Sequence, residues 1–252
     1  MEQGKAALWR QQMGQGIAPW ASKPGMVGEV GASSWLMLTG APSPDVNMAL
    51  VYDDAPNVLA SVLENIEQLD CPALVLLAGD GKLRAHDLTG AWEGVGEMPM
   101  MMADLTRAPH ASDPRVRRAG PSDEEAVRDL IADAYGLSPE IASICTDILH
   151  GHVDTMTIWL LEDQGQAVST VTACRVDDVV SLWCMATPER FGRRGFGRTL
   201  LAAVLDDELT RGANTGLLAA TPAGLPLYAA TGWQHVEDWQ IFTNAVSAQF
   251  SH

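Results

Sequence analysis

At 252 residues, 47% of them hydrophobic, the chain is long enough to bury one or two cores. Its 32 acidic residues against 16 basic ones leave a net charge of −16, which excludes the basic face that nucleic-acid phosphates require. No stretch approaches the ~20 apolar residues of a membrane span, and the leading MEQGKAALWRQQ lacks the apolar segment of a signal peptide. A cytoplasmic protein with neither nucleic acid nor membrane as partner is expected. The four cysteines, Cys71, Cys145, Cys174 and Cys184, form no CxxC pair and mostly adjoin apolar runs, as reduced, buried thiols do. His150-Gly151-His152 is too thin for a metal site, and no metal is expected.

In chain order, Asn47–Tyr52 is followed by Asp53-Asp54-Ala55-Pro56-Asn57, a helical run Val58–Leu69 and the apolar Pro72–Leu77. The methionines Met98, Met100, Met101 and Met102 suit an adaptable strand or interface, in a core rather than a binding site. Arg107–Pro114, RAPHASDP, has linker composition. Three segments are therefore expected: a domain over 1–108, a linker over 109–114 and a second domain over 115–252.

The second domain reads in more detail. Val116–Ala119 is a first strand. Ser122 with Glu125 three residues on predicts a capping box opening a helix over Asp123–Ala134. Ser138-Pro139-Glu140 begins a second helical run to about Leu149. Thr157–Glu162 and Ala167–Val176 read as strands joined by Asp163-Gln164-Gly165-Gln166, and Val179–Ala186 follows after Asp177-Asp178.

That last strand runs into Thr187–Leu201, TPERFGRRGFGRTLL, a Gly- and Arg-rich turn leading to a helix. Gly195 and Gly197 let backbone approach a ligand, and amides at the helix start, aided by the helix dipole, favour an anion. Arg190, Arg193, Arg194 and Arg198 form the densest basic cluster of an acidic chain, so a pyrophosphate is the natural guest. Gly192-x-x-x-x-Gly197-Arg198-Thr199 nearly spells the nucleotide-triphosphate loop. It has Arg in place of the lysine, however, and no following strand ends in an Asp that could hold magnesium.

Arg193-Arg194-Gly195-Phe196-Gly197 resembles the acyl-CoA turn of the GNAT N-acetyltransferase superfamily, [Q/R]-x-x-G-x-[G/A], except that Gly192 holds its first position. Downstream, a short strand Leu217–Ala220 ends at Thr221-Pro222-Ala223-Gly224. Leu227-Tyr228-Ala229-Ala230-Thr231-Gly232-Trp233 then resembles the second signature of that superfamily, A-x-x-L-Y-x-x-x-G-[F/W], with Gly224 in place of Ala. The element order β-α-α-β-β-β-α-β-α-β over 115–250 agrees with the resemblance. It implies an α/β (α+β) fold, a mixed, mostly antiparallel twisted sheet flanked by helices.

The first half echoes the second. Thr89-Gly90-Ala91-Trp92 matches Thr231-Gly232-Trp233, and the same offset carries Val58–Leu69 onto Leu200–Arg211 and Pro72–Leu77 onto the strand around Leu217. Asn47–Tyr52 falls near Leu182–Thr187. Four elements in one order suggest two tandem GNAT-like units. The first is degenerate: Asp53-Asp54 stand where the arginine turn would be and would repel a pyrophosphate, so no cofactor site is expected there.

Acetyl transfer to an amine needs donors for the developing oxyanion and a proton for the departing thiolate. The resemblance assigns the oxyanion donor to a backbone amide near Met185 and pairing with the pantetheine arm to Met185, Ala186 and Thr187. It assigns the pyrophosphate to Arg193, Arg194, Gly195, Phe196, Gly197 and Arg198. Thr221 is implied as a hydrogen-bonding partner of the cofactor arm, and Tyr228 as the acid that protonates the sulfur, its pKa near an ordinary phenol's ~10. No base is apparent, and Glu162 is a weak candidate. The implied activity is N-acetylation of a small-molecule amine or a peptide N-terminus with acetyl-CoA as acyl donor. A non-catalytic acyl-CoA-binding sensor remains the alternative.

Overall fold

The structure is a computed structural model describing residues 2–109, 111–151 and 155–245. His152, half of the His150–His152 pair, and His110 in the expected linker lie outside the described residues.

The chain opens with α1 (Glu2–Ile17), β1 (Val27–Val30), β2 (Ser34–Leu38) and β3 (Asn47–Val51). It continues with α2 (Pro56–Leu69), β4 (Leu74–Leu77), β5 (Glu93–Asp104) and β6 (Val116–Arg118). Helices α3 (Glu124–Tyr135) and α4 (Pro139–Thr146) precede β7 (Met156–Asp163), β8 (Gln166–Val176) and β9 (Val179–Ala186). Last come α5 (Phe196–Thr210), β10 (Thr215–Ala219), α6 (Leu225–Ala230) and β11 (Gln234–Thr243). Two compact units result: residues 1–100 together with the strand from Val236, and residues 101–235.

In the first unit the strand order is β1-β2-β3-β4-β11, with β3 and β4 parallel and the other pairs antiparallel. Helix α2 buries Leu59, Val62 and Ile66 against Leu36, Ala49, Val51 and Val75 of that sheet. These positions recur at helical spacing, and each fully buried side chain of this size stabilises by roughly 1.5–3 kcal/mol. Pro56 starts α2 and Asp70, with φ 47°, ends it in the left-handed region. Arg10 of α1 forks onto Glu237 of β11 at 2.7 and 2.5 Å, and Trp239 Nε1 donates to the same carboxylate at 2.8 Å.

In the second unit the order is β10-β9-β8-β7-β6. The β7–β8 hairpin turns at Gln164 and Gly165, both at positive φ (54° and 80°), the geometry whose twist matches paired strands. Residues Val168–Cys174 of β8 are buried on both faces of the strand, with α3 and α5 packed against it. The predicted capping box does not form. Pro121–Asp123 make a 3-10 turn, α3 starts at Glu124, and Asp123 instead accepts the Gly120 amide at 2.8 Å and both guanidinium arms of Arg117 at 2.7 Å. A neighbouring arginine outbids Ser122 for the end of the helix. Ser138 does cap α4, accepting the Ile141 amide at 3.3 Å.

Candidate active site

Strand β9 has a different neighbour on each edge. Against β8 its register passes from Trp183↔Thr172 to Ala186↔Thr170, so β9 carries one residue more than β8 in this interval. The surplus is a β-bulge at Cys184, whose φ of 47° costs a non-glycine residue roughly 1–2 kcal/mol. Against β10 the parallel ladder runs from Thr215↔Val179 to Leu217↔Ser181 and stops, although β9 continues to Ala186 and β10 to Ala219. Past Ser181 the two strands part, and main-chain groups of Leu182–Ala186 on this edge no longer pair with β10. An extended ligand can take the vacated place in the ladder.

The turn after β9 is held by its own backbone, with the Phe191 amide on Pro188 O and the Gly192 amide on Glu189 O, both at 2.8 Å. Arg193 (φ 57°) and Gly195 (φ 83°) both adopt left-handed conformations. Gly195 is the N-cap of α5, and a Cβ there would meet nothing within 4 Å. Thr199 N makes the helical bond to Gly195 O at 2.9 Å, so the amides of Phe196, Gly197 and Arg198 precede the intrahelical ladder. Helix α5 therefore begins earlier than its apolar run Thr199–Leu205 indicates, and these amides are its anion-facing end.

The arginines divide. Arg190 pairs with Asp133, and Arg194 reaches Asp163 at 3.3 Å while lying over the Phe196 ring at 4.7 Å. Arg193 and Arg198 are exposed and make no ion pair among the described residues. Phe196 is buried, so only its backbone faces the turn's ligand side. Thr187 Oγ1 shares a 2.7 Å hydrogen bond with Ser169 Oγ, which also donates to Ala186 O at 3.1 Å. Thr221 Oγ1 accepts the Gly224 amide at 3.2 Å, folding the entry to α6. One of its two lone pairs is thereby used, and its proton remains to donate.

Tyr228 is buried on α6, edge-on to Trp233 with ring centroids 5.8 Å apart, and its hydroxyl meets Met185 Sδ at 3.4 Å. Burial pushes its pKa up to about 12, above the ordinary phenol value used in the sequence reading. The phenol is thus protonated at neutral pH. Gly224 packs beneath it: a Cβ at this position would lie 3.0 Å from Tyr228 Cε2. The missing methyl of the Gly224-for-Ala exchange is what lets the ring sit where it does. Glu162 is committed elsewhere, to Arg117 at 2.5 Å. His150 is 2.8 Å from Glu124, and no group of three or more metal-binding side chains occurs among the described residues. Tyr135, overlooked in the sequence, ends α3 and donates to Met185 O at 2.9 Å. Nothing in its local sequence marks it beyond its being one of three tyrosines in the chain.

A parallel strand pair that parts beside a bulge is thus followed by a glycine-containing turn and by the unsatisfied amides of a helix start. The sequence model of the acetyltransferase (GNAT) family matches residues 125–233. The whole fold is similar to that of a GCN5-related N-acetyltransferase from Kribbella flavida, at 15% identity and a TM-score of 0.67 over 96% of each chain. It is also similar to a putative GNAT-family acetyltransferase from Novosphingobium aromaticivorans (14%, TM-score 0.58, 94% of this chain and 96% of that one). A GCN5-related N-acetyltransferase from Sphaerobacter thermophilus gives 14% and 0.55, over 94% and 92%. At such identities the likeness is one of fold. None of the curated proteins matches the sequence. The GNAT resemblance drawn from the two signatures and the mixed α/β fold expected from it both hold. Among the described residues no helix is long and apolar enough to cross a membrane.

Proposed function

We propose that the second unit transfers an acetyl group from acetyl-CoA to a primary amine, of a small molecule or a peptide N-terminus, by direct attack in a ternary complex. The observation that carries this reading is the parting of β9 and β10 after Ser181, immediately before the turn. In this reading the donor's arm pairs with the exposed β9 edge at Met185, Ala186 and Thr187. Its pyrophosphate sits on the amides of Gly195, Phe196, Gly197 and Arg198, with charge from Arg193 and Arg198. Arg194 contributes mainly backbone, its guanidinium being drawn to Asp163. The proton of Thr221 is available to the arm.

In this reading the Met185 amide, beside the bulge, is the donor to the oxyanion. Tyr228 donates its proton toward the sulfur as the C–S bond breaks and the amine nitrogen bonds to the acyl carbon. The amine's own proton leaves through water, since Glu162 is tied to Arg117. The acidic chain draws cationic amines toward it. The first unit takes no cofactor.

Purified protein incubated with acetyl-CoA and a panel of primary amines tests the reading. CoA thiol should be released in an amine-dependent way. Tight CoA binding without turnover on any amine would instead point to an acyl-CoA sensor, and no CoA binding at all would end both readings.

A further inference from the structure

Two phenols converge on one residue. Tyr228 meets the sulfur of Met185, while Tyr135, from a different helix, donates to its main-chain oxygen at 2.9 Å. That oxygen belongs to the bulged stretch where β9 gains a residue over β8, next to Cys184 at φ 47°. A bulge lacks the regular ladder that elsewhere fixes each peptide plane. Here a side-chain hydroxyl from the last residue of α3 substitutes for it. The Tyr135 residue is half-buried, and desolvation of its phenol raises its pKa well above the usual range, so it remains a donor. Ser169 holds the next carbonyl along, Ala186 O, at 3.1 Å. Successive carbonyls of the bulge are thus each pinned by a side chain.

We infer that Tyr135 is a positioning residue of the transfer reaction, clamping the Met185–Ala186 peptide so that the Met185 amide and the Tyr228 hydroxyl keep their places relative to each other. This rests on the acetyltransferase reading of the same site. The clamp fixes ψ of Met185, and through it both the bulge and the thioether on which Tyr228 rests. Without the hydroxyl the site should still bind its donor, because the turn and the α5 amides are untouched. It should no longer hold its oxyanion donor and its acid in register.

Tyr135→Phe removes only the hydroxyl. CoA affinity by calorimetry, steady-state turnover and amide hydrogen exchange at Met185 and Ala186 are then measured alongside Tyr228→Phe and the double variant. Maximal rate should fall about tenfold in Tyr135→Phe, with CoA affinity within about twofold and faster exchange at the bulge. Because Tyr135 acts partly through Tyr228's placement and partly through the Met185 amide, the double variant should be slower than Tyr228→Phe alone but less slowed than the product of the two single losses. Full turnover in Tyr135→Phe, or losses that simply multiply in the double variant, would overturn the clamp and leave the acetyltransferase reading standing. If the wild-type chain binds CoA without turnover, unchanged exchange in Tyr135→Phe overturns the clamp and faster exchange supports it as a device of the binding site. If the wild-type chain binds no CoA, the reading and the inference fall together.

Discussion

Two parallel strand pairs of this molecule, β3–β4 and β9–β10, occupy corresponding places in the element order of their units and behave oppositely. β3 and β4 stay paired from Met48↔Leu74 to Val51↔Leu77, and the Ala78 amide extends the ladder onto Val51 O at 2.9 Å. β9 and β10 separate after Ser181. The chain following β4 folds back over the end of β3 so closely that a Cβ on Gly81 would stand 2.4 Å from Val51 O. The helix starts differ as well. Asp53 places its carboxylate on the Ala55 amide at 2.8 Å, and Pro56 then opens α2 without an N–H. In the first unit a carboxylate occupies the helix start and the parallel strands stay paired, while in the second the helix-start amides precede their ladder and the strands part. A shared order of elements thus leaves the chemistry of each strand end to be set by a few residues.

The sharpest way to break that contrast is to close the open site chemically. Gly195→Asp adds a side chain at φ 83° and a negative charge where pyrophosphate would sit. Left-handed strain of about 1–2 kcal/mol falls on the stability of the fold, bound or free, while like-charge repulsion of about 1–3 kcal/mol at the pyrophosphate should weaken CoA binding about 10- to 100-fold. Calorimetry on the folded variant checks this, and wild-type affinity would remove the turn from the site. Next in size is Tyr228→Phe. The ring keeps its edge contact with Trp233, so CoA affinity should hold. Maximal rate should drop by at least about tenfold, toward the low end of what general acids contribute. Full turnover would reduce the phenol to packing.

Much of this was legible beforehand, for physical reasons. Turn chemistry and strand composition located β7, β8 and β9 because Gln164-Gly165 and Asp177-Asp178 interrupt long apolar runs. The Gly-Arg turn announced itself against an acidic background. What stayed hidden depends on contacts that form only when elements pack together. Tyr135 and Met185 meet only once α3 is packed, and Asp123 chooses Arg117 over a helix cap only when β6 brings that arginine beside it. The pairing of β11 with β4, rather than with a strand nearby in sequence, likewise leaves no mark in local composition. Strand parting is a property of two neighbours, and neither sequence alone encodes it.

The cores of the two units sharpen the comparison by a single exception. The offset that carries Thr89 to Thr231 also carries Leu59, Val62 and Ile66 onto Leu201, Val204 and Glu208, all buried. Glu208 is 1% exposed, pairs with Arg211 at 2.7 Å through one oxygen, and has no partner for the other among the described residues. Burial raises its pKa above the usual 4.5, with Arg211 opposing. A carboxyl whose folded pKa is raised binds its proton more tightly in the folded state. Its contribution to stability is therefore present in acid and lost as pH rises through the folded value. Glu208→Ile should accordingly be more stable than wild type at neutral pH, by about 1 kcal/mol or roughly 2–4 °C in melting temperature. The advantage should shrink below pH 4.5. A melting temperature that falls at pH 7 would mean that the Arg211 pair outweighs the desolvation.

The smallest expected effect is none at all, and it tests which feature silenced the first unit. Asp53→Arg with Asp54→Arg reverses the charge at the start of α2 and removes the carboxylate from the Ala55 amide. If charge alone excluded a pyrophosphate, this double variant should acquire a second CoA site. The closed β3–β4 ladder and the close approach of Gly81 to Val51 argue otherwise, since they leave the arm of the ligand no strand edge to pair with. Phosphate contacts without that edge supply only weak, salt-sensitive attraction. Calorimetric titration should still return one CoA per chain at physiological salt. Two equivalents would show that the zipped ladder opens readily, and that the carboxylates were its lock.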